Sequence, residues 1–489
     1  MRSATQISPR PSRLLAAGVL CTMVCLATDG LGQNVPAVPN VPQEEAQEYR
    51  GLPPPEAARE ASAEEGPTRY LEVPGLVERN IKTYGWVAAG IGANNWGSPF
   101  NGTITFGDRN WQGMLNQLYL VNEKTLDTED GGWDWGGRVD LLYGTDSIWT
   151  TASGLDAFNY NSVNSYFVPR WNSSKYYGLA MPQLYAELGR GDLSAKFGHF
   201  YTPMGYEVVP AVGNFFYTIN NTFQYGEPFT HTGMLAQWKA NDQVTWFGGI
   251  VNGWDNWSSG TSLAVNDWYD SYDNNANFLG GATFKSSDEE QSLSIFGLSG
   301  NSMNPWLVGP PPAGPLTAIN ANRSYISTVY VNQLSDKLTY VFQNDNGWQF
   351  GLQEGQYMPT AGQGNNGLAQ WYGLVNYLFY KFDDTLIGGM RFEYWRDNNG
   401  FRMVTQGRNL NYSYWQPGSS FTGYQGNFWE ITWGLNWLPT KNWRIRPELR
   451  YDWYTPDNMG AGPLPYGGRG NGGDRYGQLY GGCDAIWQF

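Results

Sequence analysis

Cysteine and histidine are nearly absent from this chain, which holds three cysteines and two histidines in 489 residues. Cys21 and Cys25 fall in the N-terminal leader described below. The remaining thiol, Cys483, has no partner for an internal disulfide. No Cys/His cluster has zinc spacing and no Gly-rich Lys-Ser/Thr phosphate loop occurs, so neither a metal nor a cofactor is implied. Charge is thin as well, at 15% of residues with a net −14. Loss of the leader, whose Arg2, Arg10 and Arg13 outweigh Asp29 by two, takes this to −16. A nucleic-acid partner needs a basic footprint for the phosphates, and this chain has none. After residue 32 no apolar run approaches the roughly 18 residues of a membrane-spanning helix, which excludes a helical membrane protein.

Residues 1–32 read as a secretory signal peptide: three arginines, the apolar stretch Leu14–Ala27, then Gly30-Leu31-Gly32. Leu20 and Val24 stand before the two cysteines, where lipid attachment wants a small residue, so a lipoprotein is not expected. Residues 33–80, rich in Pro, Ala and Glu, have little to bury and are expected to form a disordered periplasmic arm.

What is abundant is aromatic and glycine content: 16% Phe, Trp and Tyr, with 62 glycines. That composition suits a membrane barrel between two aromatic belts, and equally a secreted lectin or sugar hydrolase. Pattern separates them. From residue 81 the chain alternates between segments of about nine to thirteen residues and connections of unequal length. Strands are predicted at 81–92, 116–123, 134–143, 181–190, 192–200, 232–239, 243–251, 278–285, 292–300, 324–334, 338–346, 368–381, 385–396, 427–438, 443–454 and 477–489. Gly189-Arg190-Gly191, Asp383-Asp384 and Thr440-Lys441-Asn442 are among the short turns, and the intervening connections are long and rich in Asn, Gly, Asp and Pro. The prediction is therefore an all-β, transmembrane, antiparallel up-and-down barrel of about sixteen strands over 81–489, with both ends on the short-turn, periplasmic side.

Alternation is clearest at 443–454. Trp443, Ile445, Pro447, Leu449, Tyr451 and Trp453 share one face, and Arg444, Arg446, Glu448, Arg450 and Asp452 share the other. Trp443 and Trp453 are about 33 Å apart along the strand, or roughly 25 Å in height at about 40° of tilt, the depth of an outer-membrane apolar band. Pro447 forfeits a ladder hydrogen bond and predicts a local bulge. Parity assigns Arg138, Lys196, Arg391, Arg444, Arg446 and Arg450 to the lumen, against Asp140, Glu187, Glu393, Glu430, Glu448, Asp452 and Asp484. Six against seven implies weak ion selectivity.

Three blocks carry a family resemblance: Gly198-His199-Phe200-Tyr201-Thr202-Pro203-Met204-Gly205-Tyr206-Glu207, Gly226-Glu227-Pro228-Phe229-Thr230-His231-Thr232-Gly233 and Val251-Asn252-Gly253-Trp254-Asp255-Asn256. With Arg446-Pro447-Glu448-Leu449-Arg450-Tyr451-Asp452 they resemble the OmpL-like β-barrel porin family, across roughly residues 80–489. The resemblance implies an outer-membrane barrel with porin activity, passing small hydrophilic solutes, and brings no catalytic residues. The terminal Phe489 resembles the signal by which Gram-negative barrels are recognised by the barrel assembly machinery. Outer-membrane lipid is then a partner, and a homo-oligomer is left open.

Two rival readings use other residues. A hydrolase has only His199 and His231 as bases, with Ser/Thr and Asp neighbours near His231. A non-conducting adhesin barrel would share the fold and carry no current. The acidic stretch Asp267 to Asn275 offers oxygens to calcium but lacks twelve-residue calcium-loop spacing, and reads as a solvated loop. Residues 202–230 stand apart from the other long connections. They are aromatic and aliphatic, with Glu207 and Glu227 as their charges, and such an apolar segment must pack on something. The expectation is an inward fold that narrows the pore and sets these two carboxylates against the lumen arginines; the alternative is a cap on the barrel mouth or a subunit contact.

Overall fold

The computed structural model describes residues 71–152, 155–156, 171, 174, 176–257, 276–301, 322–352, 367–403, 423–457, 464–468 and 473–489. The segments that the sequence predicts as a signal peptide and as most of a disordered arm, and the 267–275 stretch, lie outside the described residues. Residues 71–80, which the sequence places in the arm, include a single helical turn at Pro74–Val77.

Sixteen antiparallel strands close into one barrel. They are β1 (Lys82–Asn94), β2 (Met114–Lys124), β3 (Trp133–Gly144), β4 (Gly178–Arg190), β5 (Leu193–Tyr201), β6 (Thr230–Asn241), β7 (Val244–Val251) and β8 (Asn277–Lys285), followed by β9 (Gln291–Asn301), β10 (Asn322–Ser335), β11 (Leu338–Leu352), β12 (Gly367–Lys381), β13 (Leu386–Asp397), β14 (Gly426–Thr440), β15 (Trp443–Pro456) and β16 (Gly477–Gln488). Every predicted strand is present. Each pairs with its sequence neighbour, and β1 pairs with β16, so no sheet edge is left to hydrocarbon. At the seam, Phe489 exchanges both backbone hydrogen bonds with Gly85, each 2.9 Å.

Burial follows the two-residue period. On β15 the even residues Arg444 to Asp452 are buried while Trp443, Leu449 and Tyr451 are exposed outward. Outward aromatics gather at both ends of the strands: Trp443 stands 6.4 Å from Trp487, and Trp429 5.9 Å from Trp453.

Pro447 departs from expectation. No bulge forms there: it pairs in unbroken register with Cys483 on β16. On the β14 side, Gly434↔Glu448 and Trp437↔Ile445 keep one register across the proline, and the shift comes later, between Trp437 and Thr440. The missing N–H is absorbed without adding a residue. A bulge does occur between Ala88 and Ala89 on β1, where Asn116 is the extra residue on β2. As a result Asn116 and Gln117, neighbours in sequence, both turn into the barrel, where their buried amides reach Tyr217 and Val209 respectively.

Candidate functional site: an internal loop held by buried charges

The connection between β5 and β6, residues 202–229, runs inside the barrel. Nearly all of it is buried, with Val209, Phe216, Tyr217, Ile219 and Phe223 almost fully so. It has little regular structure, so its backbone N–H and C=O groups must find partners elsewhere. The inward charges of the wall supply them. Glu448 accepts the N–H of Tyr217 (2.8 Å) and of Thr218 (3.2 Å), and the Thr218 hydroxyl at 2.6 Å. Glu393 accepts the N–H of Asn221 at 2.8 Å and of Thr222 at 2.5 Å. The arginines take the carbonyls. Arg444 donates to Val212 O (3.0 Å), Arg446 to Ala211 O (2.9 Å) and Asn214 O (2.7 Å), and Arg450 to Ile219 O at 2.7 Å. Arg391 donates to Thr218 O at 2.8 Å and to the Glu207 carboxylate at 2.6 Å.

The same charges neutralise one another. Arg446 pairs with Asp484 at 2.6 Å, Arg391 with Glu430 at 2.8 Å, and Arg450 with Asp452 at 2.8 Å and Glu430 at 3.3 Å. Charge-assisted bonds of this kind are the strong ones, and here they tie wall and loop into one buried polar lattice, in which Arg391 Nη2 has no hydrogen-bond partner among the described residues. Close approach needs missing side chains. Gly373 on β12 has no room for a Cβ because Thr222 lies against it, and Gly205 turns at φ +73 with its N–H on the Ser327 hydroxyl at 3.0 Å.

Of the thirteen strand residues assigned to the lumen, twelve, from Arg138 and Asp140 to Asp452 and Asp484, face inward and are buried, and Glu187 is half-buried. The eight on β13 to β15 (Arg391, Glu393, Glu430, Arg444, Arg446, Glu448, Arg450, Asp452) meet the loop or its anchoring pairs. Glu207 and Glu227 are buried in the loop itself; Glu227 accepts from Gln343 at 2.6 Å. On the opposite wall Arg138 pairs with Asp140 at 2.8 Å, and Lys196 lies 3.9 Å from Glu187. There the lumen opens into a cavity of about 610 Å³, lined by Glu123, Arg138, Glu187 and Lys196 and roofed by Val208 and Pro210 of the loop. It reaches the short-turn rim at Gly191 and Asp192.

Outside the strands, Asp255 ties the loop's end to the connection after β7 by accepting the N–H groups of Phe229 and Thr230, each at 2.8 Å. Its burial outweighs those bonds and raises its pKa to about 6. His231 is wedged between the Gly253 carbonyl (2.7 Å) and the Thr202 hydroxyl (3.0 Å); His199 bonds Thr232 and stacks on Trp257. Both imidazoles are buried joints between segments. Among the described residues no group of three or more His, Cys, Asp or Glu could hold a metal.

Sequence reasoning missed the uncharged anchors Gln117 and Gln343, although both lie at inward parity. It also missed Arg323, because the predicted strand began at 324; β10 starts two residues earlier, at Asn322, and Arg323 falls in the inward series with Tyr325, Ser327 and Val329.

Comparison with known proteins agrees with this architecture. The family model described as Putative beta-barrel porin-2, OmpL-like, matches residues 80–489. No curated protein matches the chain. The fold is similar to the outer membrane channel DcaP of Acinetobacter baumannii, with a TM-score of 0.50 and 12% identity over 84% of this chain and 97% of that one. It is also similar to Pseudomonas putida OprB, with a TM-score of 0.49 and 12% identity over 85% and 96%. At such identities the likeness speaks for the fold alone.

Proposed function

Because the chain belongs to the OmpL-like porin-2 family and is an outer-membrane porin, we propose that solutes pass beside the internal loop, along the β2 to β6 wall. The observation behind this route is the cavity between that wall and the loop. The charge band of β13 to β15 is committed to loop backbone and to its own ion pairs, and so serves as anchor. The charges that line this cavity are Glu123, Glu129, Glu187 and Asp192 against Lys124, Arg138, Lys196 and Lys239, four of each sign. So even a balance gives weak selectivity between cations and anions, and small hydrophilic solutes diffuse passively. Catalysis has no part in this reading, since both imidazoles are buried, His231 with both ring nitrogens hydrogen-bonded and His199 bonded to Thr232 and stacked on Trp257. The strand that ends at Phe489 and closes the seam is the element offered to the barrel assembly machinery.

The test is planar-bilayer conductance with the reversal potential measured in a salt gradient. Steady current with a reversal potential near zero supports the route. A sealed bilayer at all voltages sinks it in favour of a non-conducting barrel.

A further inference from the structure

In the lumen Arg138, Arg391, Arg446 and Arg450 each meet a carboxylate; buried Arg323 and half-buried Arg402, at the long-connection end, do not among the described residues. Arg323, the second residue of β10, is 4% exposed, and its Nε donates to Gln349 Oε1 on β11 at 2.8 Å. Among the described residues its buried Nη2 has no hydrogen-bond partner, and neither does the neighbouring Gln349 Nε2. Arg402, in the connection after β13, donates to Tyr225 O at 2.6 Å. Both guanidiniums stack on one indole: Arg323 Cζ lies 4.8 Å and Arg402 Cζ 4.9 Å from the Trp254 ring centre, and Arg402 is 5.3 Å from Trp371. Among the described residues neither arginine has a carboxylate within ion-pair distance. The nearby acids are engaged elsewhere, Asp255 on the N–H groups of Phe229 and Thr230, and Asp397 on those of Phe401, Arg402 and Met403.

Two like charges on one aromatic ring, beside two buried donors without acceptors, form an incomplete arrangement. Buried donors and unpaired charges are costly, and the group that completes them is an acceptor bearing negative charge. Guanidinium forks match the paired oxygens of a carboxylate or a phosphate. Resting on the porin reading above, we propose that Arg323, Gln349 and Arg402, on the platform of Trp254, form an oxyanion-binding station at the outer mouth of the pore. Arg402, half-buried, is its accessible side, and a bound oxyanion takes its oxygens onto Arg323 Nη2 and Gln349 Nε2.

The experiment is single-channel recording of the full chain in potassium chloride, with phosphate in one series and acetate in another raised on one side at constant ionic strength. The expected result is a saturable fall in chloride current. The half-effect concentration should rise at least about ten-fold in Arg323→Gln with Arg402→Gln, the loss of roughly one charge-assisted hydrogen bond. Arg475→Gln, which removes one such charge, as Arg402→Gln alone does, but from an exposed position, should leave that concentration unchanged. A stronger response to phosphate identifies phosphoryl groups as the natural class, and a stronger response to acetate identifies carboxylates. If the double variant fails to fold, Arg402→Gln alone must still weaken the response. Current without saturation, or the same half-effect in the variants, overturns the station and leaves the porin intact. No current in the wild type overturns both.

Discussion

Arg391 on the barrel wall and Glu207 on the internal loop meet at 2.6 Å, with 0% and 4% of their side-chain surfaces exposed. The pair holds the loop's entry to the wall opposite the open cavity, and Arg391 also takes the Thr218 carbonyl. Glu207 is therefore an anchor before it is a filter, and its charge is cancelled where it stands.

Glu207→Gln should accordingly act on loop retention. Breaking one side of a buried pair leaves the other charge uncompensated, a loss of about 3–5 kcal/mol. The expected outcome is a lower temperature for the heat-dependent gel shift and more noise in the open channel, with the reversal potential little changed. A clean shift in reversal potential at unchanged stability would show that Glu207 faces moving ions.

Lys196→Gln should do the opposite. Lys196 lines the cavity, 3.9 Å from Glu187 and 3.3 Å from the Tyr185 hydroxyl, both of them on the wall strand β4 and not on the loop. Its removal leaves Arg138 facing Glu123 and Glu187, and the reversal potential should move toward cations while the gel-shift temperature stays within a few degrees. An unchanged reversal potential means that the current does not use this cavity.

The pair of predictions shows where the sequence stops. Strand positions and lumen faces were legible because the period of two sorts Trp443, Leu449 and Tyr451 from Arg444, Arg446 and Arg450 without any tertiary information. The inward course of 202–229 was legible from its apolar residues. What parity cannot report is the partner of an inward charge. Arg446 reads the same whether it faces water or the carbonyls of Ala211 and Asn214. Nor does local pattern reveal that the Ala88/Ala89 bulge turns two consecutive residues inward, because a bulge shifts the register without a strong sequence mark.

Asp255 gives the protein a pH dependence of known sign. Its pKa rises from 3.8 to about 6 on burial, so the stability it contributes is present in full below about pH 4 and is lost as pH rises through 6. Asp255→Asn keeps an acceptor oxygen and cannot ionise. Its stability relative to wild type should improve by up to roughly 3 kcal/mol between pH 4 and pH 7, read from gel-shift temperatures at each pH. A gap that stays constant over that range means the carboxyl does not titrate there.

Replacing Arg444, Arg446 and Arg450 together by Gln removes the donors to the Val212, Ala211, Asn214 and Ile219 carbonyls and strips Asp484 and Asp452 of their partners. The loop should detach along one side, conductance should rise, and the uncompensated acids should draw the reversal potential toward cations. The two effects should appear together. Cation preference at unchanged conductance would mean that these arginines meet water directly.

Deleting residues 210–224 isolates the loop's role as a constriction. The excised stretch includes the acceptors and donors for Glu393, Glu448 and the β15 arginines, but none of the strand pairing that closes the barrel. The shortened chain should therefore still give a heat-shifted band. The charges left behind would be hydrated by water entering the vacated volume, which relieves the desolvation cost of burial, and the wall pairs such as Arg446 with Asp484 persist. Single-channel conductance should rise several-fold, and current noise should fall because only the short link from 202–209 to 225–229 remains. If conductance is unchanged while the protein loses an oligomeric state, the segment contacts a neighbouring subunit and does not limit the pore.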